Sequence, residues 1–97
     1  MPHFDVVLDG SGIDLPTVDE PIIGFHATRR VRAKSEDAAR DAAKLMIQLE
    51  WRDGNYQPRN RAAAPVVAVR DIAQLSIWKR LSTKQPKEGF AFYTING

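Results

Sequence analysis

The side chains able to do chemistry in this chain are few, and their spacing argues against catalysis. His3 and His26 are the only histidines. A zinc site needs three or four ligands, and two histidines far apart in sequence supply them only with aspartates brought in by the fold, so no metal is expected. Ser11, Ser35, Ser76 and Ser82 stand outside any strand-turn-helix nucleophile elbow. Asp5 and Asp9 would share one strand face, yet nothing places either in an apolar pocket that would make its pKa useful. Gly10, Ser11 and Gly12 are not followed by Gly-Lys-Ser/Thr and open no helix, so they are not a phosphate loop, and the aspartates at 9 and 14 lack the spacing of a calcium loop. The expectation is a protein that is not an enzyme and carries no cofactor.

Basic residues beside aromatic rings are the more informative pattern. They occur at Trp51 and Arg52 with Tyr56, Arg59 and Arg61, again at Trp78, Lys79 and Arg80, and on a strand face with His26, Arg30 and Arg32. Binders of single-stranded nucleic acid combine a positive groove with rings on which bases stack. The same composition also describes core tryptophans flanked by solubilising charges, and no RNA-recognition or zinc-finger signature accompanies it. The candidate binding surface is therefore Trp51, Arg52, Tyr56, Arg59, Arg61, Trp78, Lys79 and Arg80, with His26, Arg30 and Arg32 on an open sheet face.

Charge is distributed unevenly. Residues 1–28 hold five acids and no Lys or Arg, whereas residues 51–97 hold eight basic residues against three acids, although the net charge is only +2. Either a basic face meets a polyanion or the two ends of the chain attract each other, and the second is favoured. With 97 residues, 43% apolar and 27% charged, the chain makes one domain around one core. Without cysteine it has neither disulfides nor thiolate chemistry. No segment approaches the about 20 apolar residues of a membrane helix, and the first residues do not look like a secretory signal, so a cytoplasmic protein is expected.

The elements that must position these residues centre on residues 22–51. Alternation predicts a strand from Phe4 to Asp9, broken by Gly10 and Gly12, and a second from Ile22 with Ile23, Phe25, Ala27, Arg29, Val31 and Ala33 on the core side. Arg29 sits on the wrong side of that count, explained by snorkelling or a bulge. If the two strands form a hairpin, Asp5 and Asp9 face Arg30 and Arg32. Ser35 caps a helix over residues 35–51, with acids in its first turn and Gly54 as its stop. Glu50 falls within its apolar arc, near enough to the helix end for fraying or exposure to accommodate it. Val31, Ala33, Ser35, Glu36, Asp37 and Ala38 make a strand-to-helix junction that resembles the one in HicB-like antitoxin domains. The resemblance covers residues 31–38, implies a small α+β domain, and assigns no functional residue.

Residues 53–65 form a long loop, a length often associated with function. A third, apolar strand over residues 66–72 is expected near the middle of the sheet, bent at Arg70 and Asp71. A short helical turn capped by Ser76, a basic turn over residues 83–88 and a strand from Gly89 to Ile95 complete the chain. That last strand, apolar on both faces, is expected to lie centrally or under a second copy, because a bare edge would aggregate. The fold class is thus α+β, with a mainly antiparallel four-stranded sheet, one long helix on one face and the order β-β-α-β-short α-β. The expected core is Phe4, Val6, Leu8, Ile23, Phe25, Val31, Ala39, Ala42, Met46, Leu49, Val67, Val69, Phe90 and Phe92. The functional expectation is a non-enzymatic interaction or regulatory module, self-associating through a sheet edge. RNA or single-stranded DNA binding through the basic and aromatic loops is the alternative.

Overall fold

The computed structural model describes residues 1–82, 84, 86 and 89–96. Of the expected basic turn, Thr83, Gln85, Lys87 and Glu88 lie outside the described residues. Strands β1 (His3–Leu15), β2 (Ile22–Arg32), β3 (Val66–Leu75) and β4 (Ala91–Thr94) form an antiparallel sheet in the order β3-β1-β2-β4. Helix α1 (Glu36–Asp53) lies across one face and touches β1, β2 and β3, and a short α2 (Ile77–Ser82) follows β3. This is the expected α+β architecture.

The β1-β2 hairpin forms because both strands alternate in phase. Phe4, Val6 and Leu8 of β1 and Phe25, Ala27 and Val31 of β2 are buried under α1. Their neighbours Asp5, Val7 and Asp9 face the other side, in register with Arg30, Thr28 and His26. The glycines do not end β1, contrary to expectation. Gly10 is buried, and a Cβ there would lie inside the Phe25 ring, so the glycine makes room for the centre of the core. Gly12 takes a left-handed φ of 78°, within the irregularity that shifts the β1-β2 register between Ser11 and Leu15. β1 therefore continues to Ile13 and Leu15, two core residues that a strand ending at Asp9 omits.

Helix α1 begins where Ser35 Oγ accepts from the Ala38 amide at 3.2 Å. It ends at Gly54, whose N–H bonds the Glu50 carbonyl, while the left-handed residue beyond is Asn55 (φ 58°). The phase of its apolar face differs from expectation. Ala39, Ala43, Ile47 and Trp51, four apart, are buried, while Met46 and Leu49 are exposed and Ala42 is half-buried. The apolar arc is wider than the sheet can cover, and the small Ala39 and Ala43 let the backbone approach closest.

Two further corrections concern strand position. β3 is an edge strand, because β1 is paired on both sides and, among the described residues, no strand lies beyond β3. Val67 and Val69 are half-buried on the helix side, Val66 and Ala68 are exposed, and the register shift opposite Val7 and Leu8 is the bend expected at Arg70 and Asp71. β4, expected to lie centrally or under a second copy, is not central: it forms the opposite edge and, among the described residues, pairs with the Ile22, Gly24, Phe25 and His26 part of β2. The chain from β3 to β4 must therefore pass β1 and β2. It does so at the His3 end, where Arg80 bonds His3 and Arg30 bonds the Lys84 carbonyl.

Candidate functional site

Of the residues singled out as a binding surface, the structure makes two groups at opposite ends of β1. The molecule measures 44 × 22 × 20 Å. Asp14 anchors one group and His3 the other, and the eleven residue-to-residue steps of strand from one to the other span about 36 Å. One compact ligand cannot touch both.

At the Asp14 end the long loop is tied down. Asn60 Oδ1 accepts from the Asp14 amide at 2.8 Å, the Arg61 amide donates to the Asp14 carbonyl at 2.9 Å, and the Arg61 guanidinium bonds the Asp14 carboxylate at 3.0 Å. This is one of the intramolecular charge pairings that the uneven sequence suggested. Trp51 is a core residue, 4% exposed. Its Nε1 donates to Gln57 Oε1 at 2.9 Å, and its ring stacks on Tyr56 at 5.1 Å and on Phe25 at 6.0 Å. Tyr56, Phe90 and Phe92 complete an aromatic cluster around Phe25. Arg52 is exposed beside Asp53. Arg59 stands over the Tyr56 ring, 5.7 Å from its centre, and makes no ion pair among the described residues.

At the His3 end, Ser76 Oγ caps α2 by accepting from the Lys79 amide at 3.1 Å. Ile77, Trp78 and Leu81 are 60%, 79% and 71% exposed, a concentration of bare apolar surface on six residues of helix. Arg80 is turned inward and donates to His3 Nδ1 at 3.0 Å. Partial burial, then the Arg80 and Arg32 cations, hold the His3 imidazole below its ordinary pKa of 6.5.

The open face between the two ends carries paired side chains. Arg30 grips Asp5 with two bonds of 2.8 and 3.1 Å, which strengthens its hold on its proton. His26 Nδ1 lies 2.5 Å from Asp9, the His26 ring stacks on Tyr93 at 4.8 Å, and Arg70 approaches Asp9 at 3.8 Å. The Asp5–Arg30 pair follows the expected cross-strand reading, whereas Asp9 is shared by His26 and Arg70 and not by Arg32. An Asp-His pair is part of a hydrolytic set, and among the described residues the hydrogen bond of the His26 ring is the one to Asp9.

No group of three or more metal-ligating side chains comes together among the described residues, and none of their helices is long and apolar enough to cross a membrane. Sequence reasoning did not single out β3's outer edge as a site, since an apolar run reads the same in a central strand as in a bare one. Comparison with protein-family models, curated proteins and solved structures found no match.

Proposed function

We propose that this chain is a non-enzymatic interaction module that self-associates through the outer edge of β3. The observation that carries this reading is the ten-residue edge strand with an exposed valine at its start and exposed apolar side chains on the helix just past its end. Val66, 67% exposed, opens the strand, and Ile77 and Trp78 follow its end. These two patches lie about 30 Å apart on one molecule. An antiparallel two-fold pairing of β3 with β3 of a second copy sets Val66 of each against the Leu75 end of the other, so both patches are covered at once. In the same register Arg70 falls opposite the second copy's Asp71, near the axis. A closed dimer of this kind also leaves no strand edge for further growth on that side.

Light scattering tests it. The expected mass is twice the monomer's 10.9 kDa. Ala68→Lys with Ala73→Lys adds like charges on exposed edge positions that face one another across the axis. That variant should weaken association about a hundredfold while keeping the circular dichroism of the fold. A wild-type protein that stays monomeric at about millimolar concentration, against the typical reach of a specific interface, overturns the proposal.

The exposed Trp78 ring favours a second reading, binding of RNA or single-stranded DNA, because Lys79, Lys84 and Arg32 lie in the same end of the molecule. Anisotropy of labelled single strands at about 50 and about 200 mM salt separates the two. Binding that falls steeply with salt, disappears in Trp78→Ala and leaves the mass unchanged supports this reading. No binding at either salt removes it.

A further inference from the structure

We propose that the groove walled by Leu15, Pro16, Ile22, Tyr56, Arg59 and Phe92 binds an amphipathic monocarboxylate, with its hydrocarbon on the apolar floor and its carboxylate on the Arg59 guanidinium. The groove has a volume of about 470 Å³, within the range of about 300–1,000 Å³ common for small-molecule sites. It uses no residue of β3 or α2, so it stands independently of the self-association argued above.

The walls are held in place before any ligand arrives. Leu15 ends β1, Ile22 opens β2 and Phe92 comes from β4, so three strands supply the floor. Tyr56 is fixed between Trp51, at 5.1 Å, and the edge of Phe92, at 5.6 Å. The loop that carries it is bonded to β1 through Asn60 and Arg61. A site held this way loses little freedom on binding.

The charge of the ligand follows from which polar groups are already occupied. Arg61 is taken by Asp14, the Thr17 hydroxyl donates to the Glu20 carbonyl at 2.6 Å, and the Glu20 carboxylate accepts from Asn96. Arg59 lines the groove and stacks on Tyr56, but its guanidinium donates to no acceptor among the described residues. A cation at the mouth of an apolar groove, with its donors unspent, matches a carboxylate on a hydrocarbon body. Asp19 and Glu20 line the adjoining depression with Thr94, so a second negative charge on the ligand would be repelled there. This selects monocarboxylates over dicarboxylates.

The test titrates decanoate and, separately, decanol into isotopically labelled full-length protein, followed by amide chemical shifts. Decanoate is expected to shift Ile22, Tyr56, Arg59 and Phe92 and to leave residues 77–82 unmoved. Arg59→Met should weaken decanoate about tenfold and leave decanol unchanged, since it removes a charge-assisted bond from an exposed side chain. Shifts confined to residues 77–82, or equal losses for decanoate and decanol in Arg59→Met, overturn the proposal. So does the absence of any shift at millimolar decanoate.

Discussion

Replacing Phe25 with alanine should lower the free energy of unfolding by about 4 kcal/mol, read as a drop in the urea midpoint at unchanged slope. Phe25 is fully buried and sits where every layer of the domain meets. Its ring stacks on Phe90 at 4.4 Å and on Trp51 at 6.0 Å, meets Phe92 edge-on at 6.1 Å, and occupies the space left by Gly10. Removing it leaves a cavity bordered by a helix, two strands and a glycine without a side chain to fill it, so the site collapses poorly. Each lost ring pair adds to the transfer cost. Small domains hold about 5–10 kcal/mol in total, so this variant should be close to unfolding at ambient temperature. A loss under about 1 kcal/mol would show that the aromatic cluster is not what joins the layers.

Glu50→Ala should cost about 2–3 kcal/mol, more than the about 1 kcal/mol expected for Arg29→Met. The asymmetry follows from burial: the Arg29 side chain is 6% exposed and the Glu50 side chain 39%. Two bonds of 2.9 Å join them, and Arg29 also donates to the carbonyls of Thr28 and Gly89 and lies 5.9 Å from the Phe90 ring centre. Without Glu50 the cation stays buried with only dipoles and a ring to hold it. Without Arg29 the carboxylate turns to water. The exposure of Glu50 keeps the loss below that of a fully buried pair, and Arg29→Met combined with Glu50→Leu should recover most of it. Thermal unfolding of the four proteins decides, and equal losses for the two single variants would contradict the burial argument.

That ion pair also shows how far the sequence could be read. Arg29 on the core side of β2 and Glu50 in the apolar arc of α1 are each visible as a misfit, and the separate explanations of bulge, snorkelling or fraying are each reasonable. They are one feature, because each misfit is the other's partner across the layer. Periodicity reports which side a residue faces, not which residue it meets there. The strands, the Ser35 cap and the order of elements were legible because they depend on local pattern. The extent of β1 was not, since Gly10 reads as a break and acts as clearance for a ring fifteen positions away. With β1 cut short, the distance between the two basic and aromatic groups could not be judged. Trp51 was misplaced on the surface because an aromatic beside an arginine looks alike whether it ends a helix inward or outward.

The passage from β3 across to β4 has a consequence for local opening. β4 is four residues long, sits at an edge, and among the described residues is held to the rest of the sheet by β2 alone. Such a strand unfastens before the hairpin does, and its amide hydrogens should exchange with solvent at a lower free energy than those of β1, which has neighbours on both sides. When β4 lifts, Phe92 leaves the floor of the groove and Phe25 loses an aromatic neighbour. The groove thus exists only in the closed population, and whatever occupies it slows the exchange of β4 in proportion to its affinity.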